Sequence, residues 1–145
     1  GMADGARLKA VQVGGPLGSL FTDAQLDIPI CFDAFAKAEA ILGHGGIVVF
    51  DDETDMLELS RHLMAFVADE SCGKCVPCRI GSLRAREILD TIQRGRATAA
   101  DLSLLTELGD TMKATSLCGL GSRAPYPVLS ALEHFPMEFR SRLQR

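Results

Sequence analysis

Cys72, Cys75 and Cys78 recur at intervals of three within Glu70-Ser71-Cys72-Gly73-Lys74-Cys75-Val76-Pro77-Cys78-Arg79, and no other feature constrains the chain as tightly. Three thiolates so spaced on one short loop can take three corners of a 4Fe–4S cube, and the fourth must come from a distant part of the chain. Cys118 is the remaining cysteine of the second half. The 39 residues between Cys78 and Cys118 suit one helix, a turn and a second helix, a path that returns to its starting end. Cys72, Cys75, Cys78 and Cys118 are therefore the candidate ligands of a 4Fe–4S cluster. Two alternatives stand beside it. A four-cysteine zinc site usually uses two separated Cys-x-x-Cys pairs, and a redox dithiol needs one pair, leaving Cys78 and Cys118 idle. In an air-exposed preparation the same thiols are expected to stand empty or carry zinc.

The cysteine count points the same way. Five is odd, and three of the five crowd into seven residues, whereas a secreted disulfide scaffold spreads an even number along a shorter chain. A reducing, cytoplasmic compartment is the expectation. A chain of 145 residues can bury one modest core. No apolar run approaches the roughly 18–20 residues that cross a bilayer, and the N-terminus lacks a charged-then-apolar leader, so no direct membrane insertion is expected. Gly1-Met2 reads as a tag remnant ahead of a start methionine. The net charge of −4, with Lys and Arg scattered, argues against nucleic acid as a partner.

Taken in order, residues 8–13 alternate as a half-buried strand does, and Gly14-Gly15-Pro16-Leu17-Gly18 breaks it with a turn that needs positive φ. That run lacks the Gly-Lys-Ser/Thr ending of a phosphate loop. Residues 19–33 read as irregular, with Cys31 a small buried hydrophobe outside the metal site. A short helix around Phe35–Leu42 and a strand at Ile47-Val48-Val49-Phe50 follow, and His44 between them reads as structural or solvated. From Asp55, with Glu58 three residues on, the period becomes helical. Met56, Leu59, Leu63, Phe66 and Val67 mark the first stripe. Ile80, Leu83, Ile88 and Ile92 mark the second, between Pro77 and a stop at Gly95. Leu102, Leu105, Leu108 and Met112 mark the third, opened by Thr98 and Asp101. Val128, Leu129, Leu132 and Phe135 mark the fourth, opened by Pro125 and Pro127, and Pro136 allows one further short turn carrying Phe139 and Leu143. The fold class expected is α+β: a C-terminal four-helix bundle holding the cysteines, preceded by a partial β segment with too few strands for its own core.

Around the loop, Lys74, Arg79 and a helix N-terminus would offset the charge of an anionic cluster, although both side chains could equally be solvated. Gly73, Gly119 and Gly121 would let backbone approach the sulfides.

The Glu-Ser-Cys-Gly-Lys-Cys-Val-Pro-Cys-Arg run at 70–79 and Ser-Leu-Cys-Gly-Leu-Gly at 116–121 closely resemble the flavoprotein subunit of NADH dehydrogenases, which carries FMN in respiratory complex I and its relatives. Residues 12–18, 43–52 and 125–132 bring the resemblance nearest to the β subunit of soluble NAD-dependent formate dehydrogenases. The resemblance implies a partial β-grasp segment of the SLBB type at residues 1–52 and a 4Fe–4S domain at 53–145, with Cys72, Cys75, Cys78 and Cys118 as ligands. It implies other subunits of an NADH or formate dehydrogenase complex as partners. The glycine-rich FMN and NADH segments of that family have no counterpart here, so FMN and NAD are expected only in an N-terminal domain outside this sequence. The chain is then expected to relay single electrons and to catalyse nothing alone. The alternative from another class is a zinc-bound or metal-free scaffold for subunit docking. The unpaired sheet edge also invites a second copy, so a homo-oligomer is expected as well.

Overall fold

The computed structural model describes residue 2 and residues 5–144; Gly1, half of the expected tag remnant, lies outside the described residues. Leu8–Val13 forms β1, the middle strand of a three-stranded antiparallel sheet, flanked by β2 (Ser19–Phe21) and β3 (Ile47–Asp51). Val11 pairs with Phe21 on one side and with Val49 on the other, and the β3 register slips once, between Leu8 and Ala10. The turn out of β1 runs through Gly14 and Gly15 at φ 109° and 88°, a conformation that side-chain-bearing residues resist. A 3-10 turn at Asp23–Gln25 and α1 (Phe32–Lys37) lead back to β3.

Three expectations for this half need correction. Residues 19–21 are a buried strand rather than irregular chain. β2 holds its place through tertiary contact, because the Leu20 N–H donates to Ser130 Oγ at 2.9 Å. The short helix starts and stops earlier than expected, since Glu39 takes φ 51° and ends it. Cys31 is exposed rather than buried, because it caps the start of α1 on the outer surface with its exposed neighbours Ile30 and Phe32.

The second half is helical: α2 (Met56–Glu70), α3 (Val76–Gln93), α4 (Ala99–Thr115), α5 (Gly119–Arg123), α6 (Tyr126–His134) and α7 (Pro136–Arg140). Asp55 caps α2 by accepting the Leu57 and Glu58 N–H groups, which typically stabilises a helix by about 1 kcal/mol. Glu58 pairs with Arg61 instead of reaching back to complete a capping box. The Thr98–Asp101 box does close at the start of α4. Between α3 and α4, Gly95 at φ 67° makes the reversal.

One core joins the halves. Ala10 and Leu20 of the sheet pack with Met56, Met64 and Val67 of α2, Ile88, Leu89 and Ile92 of α3, Leu105 and Met112 of α4, Val128 of α6 and Phe139 of α7. On α3 the stripe expected from sequence is rotated: Ile80 and Leu83 are exposed, and the buried line runs through Cys78, Gly81, Ser82, Ala85, Ile88, Leu89 and Ile92. The cause is close helix approach. A Cβ on Gly81 would lie 2.7 Å from Met112 Cγ and Sδ, so α3 turns its small residues toward α4 and its large ones outward. Phe66 of α2, also expected inside, is likewise exposed.

Far from the cysteines, the start of α2 is clamped by the end of the chain. Arg142 pairs with Asp55, Glu138 accepts the Met56 N–H at 2.8 Å, and Lys9 Nζ meets Glu138 at 2.7 Å. The Arg142 guanidinium holds the Asp55 carboxyl below its ordinary value of 3.8.

Candidate metal centre

The helix path sets the site. α2 ends at Ser71, the loop 72–75 turns the chain, and Cys75 caps the start of α3. α3 and α4 have 18 and 17 residues, so at about 1.5 Å per residue they run out and back over nearly equal lengths. The chain thus returns to the cysteine end at Ser116, and Cys118 caps α5.

Two contacts fix the returning segment against the loop. The Leu117 backbone N–H, then the Cys78 N–H, lie toward the Cys75 sulfur and, with Arg79 nearby, hold the Cys75 thiol below its ordinary value of 9.0. Gly121 closes over Cys78: a Cβ at Gly121 would lie 2.8 Å from Cys78 Cβ and 2.5 Å from Ser116 Oγ. Cys78 is buried, Cys75 half-buried, and Cys72 and Cys118 are exposed. The structure therefore brings the 116–118 segment to Cys75 and Cys78, while Cys31 lies on α1, outside the loop. Among the described residues, no three His, Cys, Asp or Glu side chains are drawn together as ligands around a single ion.

The polar surroundings are donors. Ser71 Oγ lies 3.4 Å from Cys78 Sγ and receives the Gly73 N–H at 3.4 Å, which leaves its own hydrogen for the sulfur. Arg79 Nη1 donates to the Gly73 carbonyl at 2.9 Å, bracing the loop, and Gly73 doubles the chain back at φ 74°. Arg79 is thus a strut as well as a charge, whereas Lys74 is solvated. Of the three glycines expected to give close approach, Gly121 alone is tightly packed; a Cβ on Gly119 would have ordinary contacts at 3.8 Å and beyond. Thiols at the N-terminus of a long helix, with a serine hydroxyl and backbone N–H groups close by, suit an anionic iron–sulfur group. Val76, Ile80 and Leu83 of α3 and Leu117, which is 82% exposed, form an apolar rim beside the loop.

Sequence reasoning did not single out Ser71, Ser116 or the apolar rim. The available signal was a serine one residue before Cys72 and another two residues before Cys118.

The family model described as the NADH-ubiquinone oxidoreductase-F iron-sulfur binding region matches residues 58–142. That is more than half of the chain and includes all four candidate cysteines, and the protein belongs to this family. Among curated proteins, the chain is 44% identical to the NADP-reducing hydrogenase subunit HndC of Solidesulfovibrio fructosivorans, over 97% of this chain and 29% of that one. It is 35% identical to an NADH-quinone oxidoreductase subunit of Escherichia coli K12, over 100% of this chain and 33% of that one. The chain thus spans a third or less of these relatives. Among solved structures, an NAD+-reducing [NiFe]-hydrogenase in the H2-reduced state superposes with a TM-score of 0.83 at 36% identity, over 94% of this chain and 23% of that one. None of the helices described is long and apolar enough to cross a membrane.

Proposed function

We propose that this chain is the one-electron relay module of an NADH-dehydrogenase-type flavoprotein subunit, with Cys72, Cys75, Cys78 and Cys118 as ligands of one 4Fe–4S cluster. The observation that carries the reading is the close packing of Gly121 on Cys78 and Ser116, where a Cβ would lie 2.8 and 2.5 Å from Cys78 Cβ and Ser116 Oγ, which sets the lone downstream cysteine segment against the three-cysteine loop. A cluster of this kind takes up and releases one electron at a time. The chain's own part is to supply four thiolates, to offset their charge with N–H and O–H donors, and to wall off the Cys78 side with buried packing. FMN and NAD chemistry belongs to the remainder of such a subunit, and the chain is not catalytic by itself.

The relatives' names place them in NADH-quinone oxidoreductases and in NAD- or NADP-reducing hydrogenases, which supports redox subunits as partners; the cytoplasm is the proposed compartment and formate dehydrogenase the finer assignment. In this reading residues 53–145 are the cluster domain, a four-helix bundle in essence, and residues 1–52 are part of a β-grasp segment. The exposed Ile47, Val48 and Val49 of edge strand β3 offer a surface for a neighbouring subunit or a second copy.

The test is anaerobic reconstitution with iron and sulfide, metal and acid-labile sulfide analysis, and EPR of the reduced chain. Four irons and four sulfides per chain are expected. Cys118→Ser should abolish the intact four-iron species, and Cys31→Ser should leave it unchanged. An unchanged four-iron signal in Cys118→Ser would sink the ligand assignment. One zinc without iron or sulfide would favour a docking scaffold instead.

A further inference from the structure

Ser116 Oγ is buried and has no hydrogen-bond partner among the described residues. Most buried serine hydroxyls behave otherwise. Ser60, Ser82 and Ser130 in this chain each donate to a carbonyl one helical turn back, at 2.7 to 2.8 Å. Ser116 follows a helix too, and its backbone N–H donates to the Met112 carbonyl, yet its hydroxyl is left over. Leaving a hydroxyl buried and unpaired costs about 1–3 kcal/mol, so such a group needs a partner that the polypeptide does not provide.

Its position points to that partner. Ser116 Oγ and Cys78 Cβ border one and the same point, the place of a Cβ on Gly121, at 2.5 and 2.8 Å. The absence of a side chain at 121 keeps that space narrow and places the hydroxyl on the buried side of Cys78. Ser71 Oγ also reaches Cys78 Sγ, from the start of the loop, at 3.4 Å. Ser116 therefore lies beside a cysteine whose sulfur already has one hydroxyl, Ser71 Oγ, within hydrogen-bond distance.

We propose that Ser116 is a tuning residue whose hydroxyl donates to sulfur at the Cys78 corner of the cluster and thereby raises its reduction potential. The inference rests on the ligand reading above. The sign follows from charge: adding an electron makes the sulfurs more negative, so a hydrogen bond to sulfur stabilises the reduced form more than the oxidised one. Ser71 would act on the same corner, but it also fastens Gly73, so Ser116 is the cleaner probe. Its hydroxyl holds no other part of the chain.

The test uses the full chain, loaded anaerobically with iron and sulfide, as wild type, Ser116→Ala and Ser116→Thr. Iron and sulfide are counted, and an EPR-monitored titration gives each midpoint potential. We expect Ser116→Ala to keep four irons and to titrate at a more negative potential, with Ser116→Thr returning toward wild type. A four-iron Ser116→Ala at the wild-type potential overturns the inference while leaving the ligand assignment intact. If Ser116→Ala does not load, the isosteric pair Ser116→Thr and Ser116→Val decides: equal potentials, or equal failure to load, overturn it, and a lower potential for Val upholds it. A wild-type chain that takes up no four-iron cluster removes the ligand reading and this inference together.

Discussion

Substituting Gly121 by Ala tests the packing around Cys78 directly, and Gly119 on the same short helix supplies the control. Neither glycine has a positive φ, so Ala is conformationally welcome at both, and each change should gain up to about 1 kcal/mol of helix propensity. Their surroundings differ. A Cβ at Gly121 would stand 2.5 Å from Ser116 Oγ, 2.7 Å from Ser116 Cβ and 2.8 Å from Cys78 Cβ, whereas at Gly119 the nearest atom is 3.8 Å away. The two Cβ atoms at Gly121 are fixed to backbone and cannot rotate aside, so either α5 or the Cys78 turn must shift. Overpacking of this sort costs about 1–3 kcal/mol. Because the propensity gain cancels between the two variants, that full penalty separates them. At roughly 3 °C per kcal/mol for a chain of this size, Gly121→Ala should melt about 3–9 °C below Gly119→Ala. Thermal melting of the metal-free chains gives the gap, and iron content after reconstitution should fall for Gly121→Ala alone. Coincident melting curves with equal iron content would refute the claim that Gly121 is small in order to seat Ser116 and Cys78.

Ser130 joins the sheet to α6, and Ser130→Ala would strand the buried Leu20 N–H that it now accepts at 2.9 Å. A loss of about 1–3 kcal/mol in urea unfolding is expected; an unchanged midpoint would show that β2 finds another partner. Asp55→Ala removes both a helix cap and the partner of Arg142, and should cost about 1–2 kcal/mol at pH 7, since the pair is partly exposed. Because Arg142 depresses the folded-state carboxyl below 3.8, the ion-pair share of this stability is fully present above that value. It is lost as pH falls through the folded value. The gap between wild type and Asp55→Ala, followed by unfolding across pH 2–7, should therefore narrow on the acid side; a pH-independent gap would remove the ion pair from the account.

The helices were readable where a local signal and the tertiary outcome agree. Asp55, Thr98, Asp101 and Gly95 mark boundaries through chemistry that the backbone itself demands, and the cysteine spacing announces a metal site. Legibility failed where packing decides. β2 is three residues long and is fixed by Ser130, which lies 110 residues away, so no local pattern could announce it. Gly119 and Gly121 carry no helical signal, yet residues 119–123 form α5, packed on α4 and α3. The face of α3 departs from its apolar stripe because helix approach favours small residues: Gly81 and Ala85 turn inward while Ile80 and Leu83 face out. Ser116 was invisible for a related reason: an unpaired hydroxyl is defined by what surrounds it in space.

The clamp at the start of α2 has a consequence for how the molecule can be handled. α2 has 15 residues, so Asp55 stands about 22 Å along the helix from the cysteine loop. The clamp draws on Glu138 and Arg142, the last stretch of the sequence. A change at Glu138 or Arg142 acts first on a charged latch remote from the cysteine loop. The thiols lie at the other end of α2, which packs along α3. A change there can loosen the frame at a distance from the thiols.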